Sequence, residues 1–375
     1  MENSVVSAGK VKSIVEKMEK HPDVAKVLML SLAGSHAYGT NNEGSDIDIR
    51  GVFVATPNVV RTPFKTVTEL NIPGEEDAKI YELGTFLQLF SKMNPNIIEL
   101  GFTDSNATLY EHEAWKDMKE HFFSLLSREV AFRFSGYAMA QLKRIKGHNK
   151  HINNPQPKEP PTQFDYFRLV QSYLGEGELK YEDFVRKLKN MEGFCTLVPY
   201  GGNIYGVVED RRENVQPMFN KDGSIRKLDY EEIPEEVKRG KTLMIVKYCA
   251  DDHKWAKERH HNYWEWVKNR NEKRHELEEK FGYDTKHAMH LVRLLRMGEE
   301  ILTEGKVLVN RPDAEELLAI RNGEYSYEDI VEWAEEKDKM VTSVLYKQSS
   351  LPKKTDLKIV EKLILEAQDK VWKET

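Results

Sequence analysis

Cysteine is scarce in this chain: its 375 residues include only Cys195 and Cys249, and neither belongs to a C-x-x-C pair. A disulfide framework or a thiolate metal site is therefore not expected, and a reducing compartment fits this composition. The chain also lacks a run of 18 apolar residues, and its first residues do not place an apolar segment after a basic one. We therefore expect neither a membrane span nor secretion, and we predict a cytoplasmic protein.

An excess of basic residues is also missing. Lys and Arg number 56 against 62 Asp and Glu, the net charge is −6 and the sequence pI is about 6.1. This balance argues against a generally basic nucleic-acid coat protein, although it allows a local basic cleft. The chain is 39% hydrophobic and 31% charged, which is typical of a globular protein with a highly charged surface, and its length allows two domains.

The first 122 residues show the periodicities of a small α/β domain. Ser7 precedes apolar residues at helical spacing, and two segments, 24–31 and 46–55, have the length and composition of strands. A short third strand over 77–82 and a helix that ends at Asn94 follow. We predict an α/β fold with a mixed sheet over residues 1–122.

The remainder, residues 123–375, is predicted to form a mostly α-helical domain. Helical periodicity is nearly continuous from about residue 245, with candidate helices over 250–280, 285–304, 313–322, 327–345 and 356–373. A segment rich in Pro and Asn, 148–161, predicts a linker or mobile loop. Alternation around the Gly201-Gly202-Asn203 turn suggests a β-hairpin insertion near 190–220.

The chemically informative segment begins where the first strand runs into Gly34-Ser35. A glycine there lets the backbone approach a phosphate closely, and the serine hydroxyl and free N–H groups can donate to phosphate oxygens. Asp46 and Asp48 follow about ten residues later. Alternation along a strand predicts both carboxylates on one face, with Ile47 and Ile49 in the core. Because like charges repel, such a pair favours a divalent cation, and its hard oxygen ligands suit Mg²⁺.

A third carboxylate would complete a two-metal site for nucleotidyl transfer, in which two ions bridge the attacking and leaving oxygens. Asp77 opens the next predicted strand and is the natural candidate. Glu82 is the rival, but it lies an odd number of residues from Asp77, so a regular strand would turn it to the opposite face.

These residues resemble a known family. The Gly-Ser, the spacer and the Asp-x-Asp between apolar residues look like the signature of DNA-polymerase-β-type nucleotidyltransferases. The finer pattern, Gly34 to Thr40 and Ser45 to Phe53, is similar to the RNA-ligase-associated predicted nucleotidyltransferases of bacteria and bacteriophages. Matching segments also surround Asn94-Pro95, Lys286 to Leu294, and Arg311 to Glu324, so the similarity covers roughly residues 25–150 and 245–340.

The resemblance implies a catalytic domain that binds an NTP with two Mg²⁺ (or Mn²⁺) ions, and a helical domain that closes over it. Gly34 and Ser35 then correspond to triphosphate contacts, Asp46 and Asp48 to ligands of both metals, and Asp77 to the third carboxylate. His36 lies in the phosphate loop, where it contacts nucleotide or packs the loop. One departure is that basic residues common after the third strand are replaced here by Gly84 and Thr85.

A second candidate group lies on the predicted helix over 285–304. Lys286, His290 and Arg293 are spaced four and three apart, so they share a helical face. Such a face can bind phosphate or a nucleic-acid backbone. The alternative is a solvated face, because Ala288, Leu291, Leu294 and Leu295 already supply a core side.

The sequence thus predicts a metal-dependent transfer of NMP from an NTP to an acceptor hydroxyl. The family resemblance points to RNA as acceptor, either a tRNA or a broken RNA end. Two alternatives stay open: an enzyme that nucleotidylates protein side chains, and a nucleotide- or RNA-binding module without catalysis. The presence of Asp46, Asp48 and Asp77 speaks against the second alternative.

Overall fold

The computed structural model describes residues 6–75, 78–175, 180–226, 230–269 and 272–374. The chain divides into two compact units. Unit 1 comprises Met1–Ile152 and Glu272–Thr375, and unit 2 comprises Asn153–Asn271. The chain therefore leaves unit 1 once, forms unit 2 and returns.

The strands and helices follow in chain order. The strands are β1 (Val24–Ala33), β2 (Asp48–Ala55), β3 (Glu69–Asn71), β4 (Lys79–Glu82), β5 (Thr108–Glu111), β6 (Phe167–Ser172), β7 (Cys195–Gly201), β8 (Ile204–Glu209) and β9 (Thr242–Tyr248). The helices are α1 (Ala8–Glu19), α2 (Gly34–Tyr38), α3 (Pro57–Arg61), α4 (Leu83–Ser91), α5 (Pro95–Gly101), α6 (Glu113–Lys119), α7 (Val130–Asn153), α8 (Tyr181–Asn190), α9 (Glu235–Lys238), α10 (Ala250–Lys268), α11 (Glu272–Phe281), α12 (Thr285–Glu304), α13 (Ala314–Arg321), α14 (Tyr327–Lys339), α15 (Tyr346–Gln348) and α16 (Leu357–Glu374).

Unit 1 is built on a five-stranded sheet of order β3-β4-β2-β1-β5. β2 and β4 are parallel, whereas β1 pairs antiparallel with both β2 and β5, and β3 pairs antiparallel with β4. The sheet is therefore mixed, and with the helical C-terminal part it confirms the predicted fold class. None of the helices that the structure describes combines the length and the apolar character that a membrane crossing requires.

The second strand begins two residues later than its sequence pattern predicts. The β1–β2 ladder ends at the pair Ala33↔Asp48, because the chain turns into α2 at Gly34 and offers residues 46 and 47 no strand to pair with. Ile47 is consequently 40% exposed, whereas Ile49 is 1% exposed. The prediction that both isoleucines lie in the core was wrong for Ile47.

The two ends of the chain share one hydrophobic core. Apolar residues of β1, β2, α4 and α7 belong to the same buried cluster as those of α12, α14 and α16. An amphipathic helix is stable only where its apolar face is covered, and the C-terminal helices find that cover within unit 1. The compact units divide after residue 152 and before residue 272, and the domain boundary at residue 122 stays a prediction.

Unit 2 contains a four-stranded antiparallel sheet of order β6-β9-β8-β7, which our sequence analysis did not anticipate. β7 and β8 form a hairpin where the alternation suggested one, and positive φ angles at Gly201, Gly202 and Asn203 shape its turn. The unit has its own apolar core, in which Phe167 and Phe184 are almost fully buried. Of the predicted linker at 148–161, the residues up to Asn153 belong to α7.

Two adjacent phenylalanines test the core of unit 1. Phe122 is fully buried, 5.0 Å from Phe90 and 5.3 Å from Trp115 between ring centroids, whereas Phe123 is 56% exposed. We expect Phe122→Ala to lower the free energy of unfolding by about 3–5 kcal/mol, because the cavity it leaves cannot fully collapse. Phe123→Ala should cost less than about 1 kcal/mol. Urea unfolding followed by circular dichroism measures both, and equal losses would contradict this packing.

Candidate active site

The turn after β1 brings a glycine against a carboxylate. Ala33, the last residue of β1, pairs with Asp48, the first residue of β2. Gly34 has a φ of 61°, which glycine adopts readily and other residues rarely. A Cβ atom at this position would lie 2.7 Å from Oδ2 of Asp48. The position therefore requires glycine both for its backbone angle and for the space it leaves to Asp48.

A cavity of about 310 Å³ opens beside this contact. Its walls come from β1 and the turn after it, from β2, β4 and the α5 region, and from the segment after α12: Ser31, Leu32, Ala33, Gly34, Ala37, Tyr38, Asp48, Arg50, Lys79, Tyr81, Asn96, Glu99, Leu100, Thr103 and Val309. Alternate residues of a strand share a face, so β2 contributes Asp48 and Arg50 and β4 contributes Lys79 and Tyr81. All the walls belong to unit 1.

The cavity combines acidic and basic side chains. Arg50 Nη2 lies 3.7 Å from Oδ1 of Asp48, so these two residues of β2 form an ion pair. Lys79 Nζ donates to Glu69 Oε1 at 2.9 Å, and this hydrogen bond raises the pKa of Lys79. Lys79 therefore stays charged at neutral pH. A cavity lined by a carboxylate and two cations suits a polyphosphate that carries a metal ion.

At the cavity wall, the buried side chains of Tyr38 and Glu99 contact that of Arg293, which does not line the cavity. The hydroxyl of Tyr38 donates to Glu99 Oε2 at 2.5 Å, and the guanidinium of Arg293 donates to the other oxygen of Glu99. The same guanidinium lies 3.8 Å from the centre of the Tyr38 ring. Burial raises the pKa of Tyr38 far above its usual value, and the Glu99 carboxylate adds to that shift, so the phenol stays protonated and donates.

The C-terminal helices also hold the backbone of the turn. The N–H of Arg311 donates to the carbonyl of Tyr38 at 3.0 Å, and Arg321 Nη1 donates to the carbonyl of Thr40 at 3.4 Å. A Cβ atom on Gly39 would lie 2.9 Å from the side chain of Asn310. Residues 310–321 therefore contact the segment directly after the turn that places Gly34 beside Asp48.

The predicted site residues are distributed unevenly around the cavity. Gly34 and Asp48 line it. Ser35 and His36 are half-buried within α2 and do not line it, and Asp46 is exposed, two residues before β2 begins. Asp77 lies outside the described residues. Of the predicted Asp pair, the structure therefore places only Asp48 in the cavity wall.

One residue of the predicted cationic face of α12, Arg293, is turned inward. Arg293 is 3% exposed and bonded to Glu99, so it does not offer its charge to a ligand phosphate. Lys286 and His290 are half-buried and do not line the cavity. The helical spacing was read correctly, but the Arg293 end of that face meets a carboxylate of α5 rather than solvent.

Glu82, the rival to Asp77, lies away from the cavity. It is buried at the end of β4, where its Oε2 accepts the N–H of Thr85 at 3.0 Å and caps α4. Its neighbours Lys79 and Tyr81 face the cavity, so the alternation expected for this strand places Glu82 elsewhere. Burial raises the pKa of this carboxyl, whereas backbone N–H groups oppose the shift.

Sequence reasoning overlooked several wall residues. Arg50 and Lys79 were available from strand alternation alone, since each shares a face with Asp48 or Tyr81. The wall beyond them consists of Asn96, Glu99, Leu100 and Thr103, whose spacing of i, i+3, i+4 and i+7 marks one helical face. That face follows the Asn94-Pro95 cap, where Asn94 accepts the N–H of Asn96.

A mixed sheet with a glycine turn beside a carboxylate on the next strand is the arrangement expected from the resemblance to polymerase-β-type nucleotidyltransferases. Residues 8–156 match the RNA repair pathway DNA polymerase beta family, which confirms the predicted resemblance. The matched segment includes β1 to β5 and every cavity-lining residue except Val309.

One relative of the chain is the uncharacterized protein MJ0002 of Methanocaldococcus jannaschii. The two are 28% identical over 134 residues, which cover 34% of this chain and 53% of that protein. The chain therefore spans about half the length of this relative. No solved structure matches the chain significantly.

The buried Tyr38–Glu99–Arg293 group yields a prediction for stability. Glu99→Gln leaves a buried guanidinium without its counter-charge, so we expect a loss of about 3–5 kcal/mol in the free energy of unfolding. Glu113→Gln, at an exposed site on α6, should change it by less than about 0.5 kcal/mol. Adding Arg293→Met to Glu99→Gln should recover part of the loss. Additive losses in a denaturant-unfolding cycle would show that the two side chains are not coupled.

Proposed function

We propose that this chain is a metal-dependent nucleotidyltransferase that moves a nucleoside monophosphate from an NTP to an acceptor hydroxyl on RNA. The observation that carries the proposal is the contact of Gly34 with Asp48 at the cavity, within a polymerase-β-type domain. RNA is proposed as the acceptor because the matched family is described by RNA repair. A tRNA or a broken RNA end both offer the required hydroxyl.

The residues at the cavity fit a divalent cation. Asp48 is half-buried and presents hard oxygen ligands at the edge of a cavity, which are the donors that Mg²⁺ and Mn²⁺ prefer. Asp46 lies two positions earlier and is exposed, so it is accessible as a further ligand. Asp77 remains the proposed third carboxylate, because it has the same sequence parity as Lys79 and Tyr81. When bound, such ions would polarise the α-phosphate and lower the pKa of the acceptor hydroxyl.

The residues of the chain then bind and orient the reactants. Gly34 lets the backbone approach the triphosphate, while Arg50 and Lys79 balance its negative charge. The acceptor oxygen forms a bond to the α-phosphorus as the bond to the bridging oxygen breaks, and pyrophosphate leaves. The proton of the hydroxyl passes to a carboxylate, for which Asp77 is the proposed candidate. The Tyr38–Glu99–Arg293 group keeps the turn in place and makes no contact with the reacting atoms in this scheme.

Gly34→Ala tests the role of the turn. The added Cβ would collide with Asp48 and occupy a φ of 61°, so we expect NTP binding to weaken at least about tenfold, a cost of about 1–3 kcal/mol. Gly136→Ala is the control, since an exposed helical glycine with open space around it tolerates alanine. Titration with a fluorescent ATP analogue measures both variants, with circular dichroism to verify folding. Unchanged binding by folded Gly34→Ala would exclude this turn from the nucleotide site.

Transfer itself is tested by incubating the protein with Mg²⁺, each α-labelled NTP and separate RNA and protein pools. We expect label in RNA. The labelling rate should fall at least about 100-fold in Asp48→Asn and in Asp46→Asn/Asp48→Asn, because the metal ion that these carboxylates would hold stabilises the transition state by several kcal/mol. Asp117→Asn, at an exposed site on α6, is the matched control and should keep full activity. EDTA should abolish labelling in every case.

The other outcomes identify the alternatives. If label appears in the protein pool and is lost in Asp48→Asn, the acceptor is a protein and not RNA. If the protein still binds NTP but neither pool is labelled, the proposal of an enzyme is overturned and the chain is a nucleotide-binding module. Label that persists in the Asp46→Asn/Asp48→Asn protein would show that the chemistry lies elsewhere.

A further inference from the structure

A second group of acid and imidazole side chains lies in unit 1, where the end of α7 meets the start of α12. His148, Glu278 and Asp284 each offer one ligand atom, and these atoms all lie within 4.8 Å of one another. His148 Nδ1 is 2.7 Å from Glu278 Oε1 and 4.0 Å from Asp284 Oδ2. We propose that these side chains form a transition-metal site, and that Zn²⁺ is the ion it prefers.

His287 lies beside this group, next to Asp284. Its Nδ1 lies 3.3 Å from Asp284 Oδ2, and its ring centre is 6.0 Å from that of His148. Ligands that bind one Zn²⁺ at about 2.0–2.2 Å stand roughly 3.3–3.5 Å apart in a tetrahedron. The separations of His148 Nδ1 from Glu278 Oε1 and Asp284 Oδ2 bracket that value, so these three side chains fit one ion, with His287 as an adjacent imidazole.

The carboxylates of this group are deeply buried. The side chains of Glu278 and Asp284 are only 1% and 2% exposed, and those of His287 and His148 are 7% and 24% exposed. Burying two carboxylates is costly unless positive charge accompanies them. The two oxygens of Asp284 have different neighbours. Oδ1 accepts the backbone N–H of His287 at 2.9 Å and caps α12, whereas Oδ2 faces the imidazoles of His148 and His287.

This site is separate from the nucleotide cavity. None of the four residues lines that cavity. On α12, residue 284 precedes Arg293 by nine positions, which corresponds to about 13 Å along a helix. The ligand chemistry differs as well, because imidazole nitrogens suit Zn²⁺, whereas Mg²⁺ prefers an all-oxygen shell.

The position of the cluster in the chain gives the ion a structural role. His148 lies shortly before Asn153, where unit 2 begins, and Glu278 lies shortly after Asn271, where it ends. A shared ion would tie together, inside unit 1, the two segments through which the chain leaves that unit and returns. The stabilisation of unit 1 should then depend on the concentration of Zn²⁺.

The test uses the full chain with Asp46→Asn/Asp48→Asn, so that the carboxylates of the nucleotide cavity are removed as ligands. Co²⁺ serves as a spectroscopic probe and Zn²⁺ as its competitor. We expect visible absorption from one Co²⁺ per chain, displacement of Co²⁺ by one Zn²⁺, and a higher melting temperature with Zn²⁺. His148→Ala and Glu278→Gln, added to this background, should each weaken Zn²⁺ binding at least about tenfold. His121→Ala, at an exposed histidine, should leave it unchanged.

Glu278→Gln keeps the shape of the side chain, so it answers the question even where His148→Ala fails to fold. Equal Zn²⁺ affinity in the background protein and in folded Glu278→Gln would overturn the proposal. The absence of Co²⁺ absorption and of any Zn²⁺-dependent change in melting temperature would also overturn it, and the cluster would then be a hydrogen-bonded pair of acid and imidazole. Neither result depends on nucleotidyl transfer.

Discussion

The buried ion pair between Glu99 and Arg293 is the interaction on which the arrangement of the cavity depends. It joins α5, in the wall of the cavity, to α12, almost two hundred residues later in the chain. Because an isolated buried charge is far more costly than a paired one, neither partner can move without the other. The hydroxyl of Tyr38 donates to Glu99, and its ring packs against the guanidinium of Arg293. These contacts anchor the turn that carries Gly34 to the buried core.

This connection explains why the two ends of the chain form one unit. The segment that matches the RNA repair family supplies nearly all of the cavity, but Arg293, Arg311 and Arg321 hold its turn from the C-terminal side. The cavity is thus built in two layers. The inner layer presents backbone, carboxylate and cations to a ligand, and the outer layer holds them in position. Between the two halves of unit 1, the chain accommodates unit 2 as a separate compact insertion.

Much of the fold could be predicted because its signals are local. The helix after Ser7 and the helix over 285–304 follow from apolar spacing and caps, and α1 and α12 appear where that spacing places them. The start of β2 was misplaced because strand pairing depends on the partner strand, and β1 ends at Ala33. The sheet of unit 2 was missed for a similar reason: β6 and β9 are separated by some seventy residues, and each is short and irregular in pattern.

By itself, the sequence determined the glycine turn, the carboxylate of Asp48 and the family to which this pattern is similar. A glycine, a period-two alternation and a strand-length apolar run can all be recognised within twenty residues. Only the tertiary structure decided that Arg293 is a buried counter-charge, and that Arg50 and Lys79 face the cavity together. The spacing of residues on a helix shows which side chains share a face. Whether that face meets solvent, a ligand or the carboxylate of Glu99 is decided by packing between segments that lie far apart in the chain.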